Sequence, residues 1–348
     1  MKDAFLPAAL RRSVATVLVA PLLAFMPLGL PAGAHAAGDA DPSRPASQQV
    51  EKVVGLWRQS YGNAEDFMSR RAAFESLMAS TPEPTRVQTK HVDADGIAAD
   101  LIWPARLHHP FGTRAILYLH GGGFYGGSLR THRSLAAALA KAASADVLLV
   151  DYRRMPEHVY PSQIQDALAA YRWLLSSGYR NDNIVIAGDS TGGNLALETT
   201  LRQMQSKGPL PAAVVAMSPI TDLAATGPSM TDNADRDPLV SKEHLAAISK
   251  AYLGNTPPTE PAASPLYADL TGFPPLLLQV GSREILMDDT LRLARKAALA
   301  DVDVAVEVWP GMIHQWQLFP FWIQDARRSI QRVADFSIAH FADKPAAE

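Results

Sequence analysis

Two glycine-bounded segments carry the side chain and the amides from which a reactive site can be built. Gly188-Asp189-Ser190-Thr191-Gly192 follows the apolar run 184–187 and precedes a helical pattern over 194–205. A sharp strand-to-helix turn of this kind lifts a serine hydroxyl above a sheet. Glycine is needed on either side because a Cβ there collides with neighbouring backbone. His120-Gly121-Gly122-Gly123 follows the apolar run 115–119. Consecutive glycines let backbone N–H groups converge on one point, where they can hold the negative oxygen of a tetrahedral intermediate. The same stretch, Gly121 to Gly126, also satisfies Gly-x-Gly-x-x-Gly after a strand, and Asp151 ends the next strand. That is a dinucleotide-binding pattern, compatible with an NAD-dependent oxidoreductase. On these residues alone both chemistries stand.

The C-terminal third discriminates between them. Gly311-Met312-Ile313-His314 follows the last strand pattern and Pro310, and Glu284, Asp288 and Asp289 follow the strand pattern 276–280. A nicotinamide enzyme has no need of a histidine on that loop. Serine, acid and histidine in this chain order, each just after a strand, are the order of an α/β-hydrolase triad. Other conspicuous residues read as scaffold. His120 braces the glycine loop, Asp151 and Arg153 form an ion pair at a strand end, and Glu157-His158 are neighbours whose side chains seldom face each other. His108-His109 lacks the spaced carboxylates of a metal site. Trp57, Phe67 and Phe74 either line an acyl pocket or pack into the core. Asp289 is expected exposed in the first turn of a helix, where an acidic side chain suits the dipole.

These residues must be positioned by strands alternating with helices. Apolar periodicity predicts helices over 49–61 and 64–80, a hairpin over 86–105 turning at Asp95-Gly96, and short strands at 115–119, 147–150, 184–187, 213–217, 276–280 and 302–308. Helical patterns such as 163–175 separate most of the strands, which implies a mostly parallel sheet covered on both faces. Residues 221–272 break the rhythm, being rich in Pro, Asp, Ser and Thr with one helical patch at 244–253. They read as an insertion over the end of the sheet.

At the N-terminus, Lys2, Arg11 and Arg12 precede a largely apolar stretch over 13–30, and Ala34-His35-Ala36 supplies small residues at a cleavage site. This reads as a signal peptide over 1–36, so that the mature protein is exported to a periplasm or the exterior and keeps no stable membrane insertion; a retained anchor is the alternative. Residues 37–84 are then a linker (38–48) and two cap helices, and 85–348 the catalytic domain, with 221–272 as a cap insertion. The 348 residues carry 32 basic and 35 acidic side chains, a formal charge of −3 with no basic run, which argues against a nucleic-acid partner. The absence of cysteine excludes disulfides, thiol catalysis and cysteine metal sites.

The chain resembles the hormone-sensitive-lipase-like (GDXG) branch of the α/β-hydrolases, of bacterial carboxylesterase type. The matching stretches are His120-Gly121-Gly122-Gly123, Asp151-Tyr152-Arg153, Pro156-Glu157-His158, Gly188 to Gly193, Gly281 to Asp289 and Pro310 to His314. The resemblance implies an α/β-hydrolase fold with a helical cap, and Ser190 as nucleophile with His314 as its base. It also implies an oxyanion hole from the N–H groups of Gly122, Gly123 and Thr191, and turnover of small-molecule esters with no cofactor or metal. Thr191 stands where the family usually has alanine. The family's usual triad aspartate is replaced by Glu284, favoured over Asp288. A lactonase or amidase uses the same machinery, and a non-catalytic ligand-binding homologue keeps the same fold.

Overall fold

The computed structural model describes residues 45–62, 64–106 and 113–342. The export segment and the His108-His109 pair lie outside them. The strands are β1 (Val87–Asp93), β2 (Ala98–Pro104), β3 (Ala115–Leu119), β4 (Asp146–Val150), β5 (Ile184–Asp189), β6 (Ala213–Met217), β7 (Leu276–Gly281) and β8 (Val304–Trp309). They form one sheet in the order β1-β2-β4-β3-β5-β6-β7-β8. β1 and β2 are an antiparallel hairpin turning at Asp95 and Gly96, β2 runs antiparallel to β4, and β4 through β8 are parallel. Helices α1 (Pro45–Tyr61) and α2 (Phe67–Ala79) precede the sheet. Between strands lie α3 (Leu129–Ala143), α4 (Ser162–Ser176), α5 (Thr191–Gln205), α6 (Ser229–Asp232), α7 (Lys242–Leu253) and α8 (Met287–Leu299), and α9 (Gln324–His340) follows the last strand.

The continuous apolar runs of the central strands follow from burial on both faces. In β3, Ala115, Leu117 and Leu119 join one core with Ile164 of α4, Leu195 of α5 and Leu293 of α8. Ile116 and Tyr118 point the other way, into a core with Val53 of α1, Leu135 of α3 and Ile330 of α9. Successive side chains of a strand face opposite sides, so a strand sandwiched between helix layers has no polar face to show. β8 closes the sheet as an edge and is only partly covered, with Val306 and Val308 exposed.

Three expected boundaries shift for local reasons. The linker reading of 38–48 fails at its end, because α1 begins at Pro45. A proline suits the first turn, where an amide hydrogen has no intrahelical acceptor. α2 begins at Phe67 rather than at residue 64, since Asp66 and Ser69 form a reciprocal capping box. Val302 lies outside β8, its N–H spent on the Ala297 carbonyl that closes α8.

Glu198 is fully buried on α5, and among the described residues neither carboxylate oxygen has a hydrogen-bond partner. Burial pushes its pKa well above the usual carboxylate range, with Arg202 opposing. An acid whose folded pKa is raised weakens the fold as pH climbs from its unfolded pKa towards the folded one. Glu198→Gln should therefore raise the melting temperature by a few degrees, about 1–2 kcal/mol, at pH 8 and by less at pH 5. Equal gains at the two pH values in thermal unfolding would contradict the assignment.

Candidate active site

The turn after β5 sets Ser190 at φ 54°, ψ −120°, a conformation that non-glycine residues rarely adopt. The turn is possible because its surroundings have no side chains in the way. A Cβ on Gly192 would lie 1.9 Å from the Leu119 carbonyl oxygen, so the first turn of α5 can pass directly against the end of β3. Ser190 is held there by its own N–H, which donates to Met217 O at the end of β6 (2.8 Å).

His314 comes from the loop after β8 and Glu284 from the loop after β7. The imidazole Nε2 is 2.9 Å from Ser190 Oγ, and Nδ1 is 2.8 Å from Glu284 Oε2. An ionised carboxylate only accepts, so Nδ1 carries the proton and Nε2 is left to accept from the serine. Glu284 Oε1 accepts from Ser218 Oγ (2.7 Å) and Gly281 N (2.6 Å), and Asn233 Nδ2 donates to the Glu284 carbonyl (2.8 Å). All three side chains are nearly or wholly buried. Burial acts to lower the pKa of His314, but the hydrogen bond and charge of Glu284, with smaller contributions from Asp237 and Asp189, outweigh it and hold the imidazole above its ordinary value.

The other two acids are elsewhere. Asp288 Oδ2 accepts from Ser229 N at the start of α6 (2.6 Å). Asp289 is not the exposed first-turn residue expected of it. It is fully buried and accepts from the N–H groups of Thr221 (2.7 Å) and Asp222 (2.8 Å), with burial raising its pKa to about 7. Its partners lie far away in sequence, which is why a local helix-dipole argument misplaced it.

Gly122 and Gly123 border the same cavity as Ser190 and His314. Gly122 takes φ 124°, and a Cβ there would strike the Gly126 backbone at 2.5 Å. The glycine run thus serves the serine's cavity. Thr191 is the first residue of α5, so its N–H has no acceptor within the helix. Its hydroxyl, where the family usually has a methyl, accepts from Phe124 N at 3.3 Å and ties the two glycine loops together. His120 is a brace, buried with its ring stacked on Tyr152 at 4.2 Å and Nδ1 3.0 Å from Gly121 O.

Sequence reasoning missed the group that joins these loops. Asp189, fully enclosed beside Ser190, accepts from Gly121 N (3.1 Å), Tyr118 OH (2.8 Å) and the Gln315 side-chain amide next to His314, with His132 Nε2 at 3.4 Å. Burial works to raise its pKa, but His132 and these hydrogen bonds hold it well below the usual range. Ser218 and Asn233 were also missed; Ser218 had a usable signal, since it directly follows β6.

Trp57 and Phe74 line the cavity, whereas Phe67 stacks on Tyr125 (5.0 Å). Residues 239–248, between β6 and β7, supply Leu239, Val240, His244 and Ile248 to the same lining. The expected Asp151–Arg153 pair is replaced by two others, because Arg153 turns to Asp166 (2.6 Å) and Asp151 to Arg154 (3.3 Å). A wider surface cleft of about 490 Å³ is bordered by Asp95, Asp151, Arg153, Asp166 and Arg172. Within it Arg153 pairs with Asp166 and Arg172 with Asp95, Asp151 is met by Arg154 from outside its lining, and neither Ser190 nor His314 borders it.

Residues 116–318 match the family described as the alpha/beta hydrolase fold. An acetyl-hydrolase of Streptomyces hygroscopicus is 43% identical over 293 residues, spanning 84% of this chain and 96% of that protein. An esterase of Acinetobacter venetianus is 38% identical over 268 residues, 77% of this chain and 87% of that one. Among solved structures, an esterase from the bacterial hormone-sensitive lipase family is 39% identical and superposes with a TM-score of 0.81, covering 85% of this chain and 99% of the other. With the sheet order, the glycine turns and these likenesses in agreement, the chain belongs to the α/β-hydrolase fold family, in its bacterial hormone-sensitive-lipase branch.

Proposed function

We propose that this protein is a serine carboxylesterase that cleaves esters of short to medium acyl chains through an acyl-enzyme. The observation that carries the reading is His314 bridging Ser190 Oγ at 2.9 Å and Glu284 at 2.8 Å. The relatives named esterase and acetyl-hydrolase support it. His314 Nε2 takes the serine proton as Oγ attacks the ester carbonyl. Glu284 stabilises the imidazolium that forms. The carbonyl oxygen, now negative, is held by the N–H groups of Gly122, Gly123 and Thr191, beside the positive end of the α5 dipole. The alcohol leaves with the proton from His314, and water releases the acid by the same route. The short acyl range rests on a cavity walled by Trp57, Phe74 and Tyr125.

We also propose that the protein is exported. The basic start at Lys2, Arg11 and Arg12, the apolar stretch behind it and Ala34-His35-Ala36 support this reading, and a chain without cysteine is indifferent to an oxidising compartment. N-terminal sequencing of the protein from producing cells should begin at Ala37; an intact Met1 on exported or retained protein would refute cleavage.

The catalytic assignment is tested by kinetics on 4-nitrophenyl butyrate. Ser190→Ala should lose about four orders of magnitude in kcat/KM. Glu284→Gln should lose at least about a hundredfold and Asp288→Asn less than about tenfold; the reverse ranking would move the triad acid. Neutral His314 is the active form, so its raised pKa places the acid limb of the pH profile above 6.5, the ordinary histidine value. Removing the Glu284 charge should shift that limb to lower pH.

A further inference from the structure

Two adjacent arginines on α2 are treated very differently by the fold. Arg71 is neutralised, its two Nη atoms reaching Glu157 Oε1 and Oε2 at 2.8 Å each and one of them also the Met155 carbonyl at 2.7 Å. It fastens α2 to the chain beyond the glycine loop. Arg70, one residue earlier, is half-buried and faces the cavity that holds Ser190 and His314. Among the described residues no carboxylate borders that cavity. Among the described residues no Asp or Glu lies within ion-pair distance of Arg70. Its surroundings are the Tyr61 ring, 5.8 Å from the guanidinium carbon, and the Tyr125 hydroxyl, which is itself 3.1 Å from His244 Nε2. His244 brings no charge of either sign near neutral pH, because burial and then the neighbouring Arg70 lower its pKa to about 4.

A guanidinium partly withdrawn from water among aromatic rings costs free energy unless an anion or strong acceptors meet it. Two tyrosines supply only part of that. The planar fork of arginine suits a carboxylate, which it can hold through two parallel hydrogen bonds. We infer that Arg70 is a specificity-determining residue that receives a carboxylate on the substrate, remote from the scissile carbonyl, so that the preferred esters carry a negative charge. This rests on the esterase reading above and deepens it.

The test compares matched esters differing only in that charge. On the acyl side, 4-nitrophenyl hydrogen glutarate is set against its neutral methyl ester. On the alcohol side, 3-carboxyphenyl butyrate is set against 3-carbamoylphenyl butyrate. The purified protein should favour the charged member of at least one pair by about tenfold or more in kcat/KM. Arg70→Gln should abolish that preference and Arg70→Lys restore part of it. Reading a ratio cancels any loss of folded protein, and a purely structural role for Arg70 would move both members together. The inference is overturned if the charged member is favoured in neither pair, or if Arg70→Gln leaves the ratio unchanged. Failure of the esterase reading looks different, since the neutral esters would then not turn over in the unaltered protein.

Discussion

The molecule is organised around one imidazole that must touch a hydroxyl on one side and a carboxylate on the other. These groups are 124 and 30 residues away from His314 in the chain, yet both contacts are hydrogen bonds of under 3 Å. Parallel strands solve this problem because their carboxyl ends lie along one edge at about 4.8 Å spacing. From β5 across β6 and β7 to β8, successive strand ends deliver Ser190, Ser218, Glu284 and His314. β3, on the other side of β5, delivers the glycine loop. The sheet order is therefore the order of the proposed catalytic groups, and Ser218 fills the place between serine and acid by holding the carboxylate that meets the imidazole.

Strand ends place loops only approximately, and Asp189 sharpens the placement. One buried carboxylate gathers donors from the glycine loop, from Tyr118 inside β3 and from Gln315 beside the histidine. It thus couples the amides proposed to receive the oxyanion to both sides of the serine–histidine contact. Because an ionised carboxylate is acceptor-only, the arrangement requires each of these groups to donate, which leaves a single consistent pattern. The close approach at Gly192 belongs to the same design: without room for backbone against backbone, Ser190 would sit too far from the loop it works with.

Much of this was legible in the sequence wherever the chemistry makes a demand on backbone. The turn at Ser190 and the run at Gly121 to Gly123 need glycine for steric reasons, and apolar runs flanked by helical periodicity announce a doubly covered sheet. His314 and the three acids Glu284, Asp288 and Asp289 stood out because they follow strands, and the preference for Glu284 among the acids came from the family resemblance. What escaped depends on long-range partners. Asp289 looked like a solvent-facing dipole residue, but its Oδ2 accepts from two backbone amides of the segment after β6. Arg153 was paired with the nearest acid in sequence, whereas the fold brings Asp166 of α4 to it. Arg70 and Arg71 are indistinguishable as letters; only packing reveals that one is neutralised and the other is turned into the cavity.

The central claim is that Ser190 carries the acyl group between the two halves of turnover. Rapid acid quenching during hydrolysis of 4-nitrophenyl butyrate, followed by peptide mass spectrometry, reads this directly. The account predicts a butyryl group on the peptide at Ser190 and nowhere else. Steady turnover with that peptide unmodified, or with the acyl group on another side chain, would contradict it.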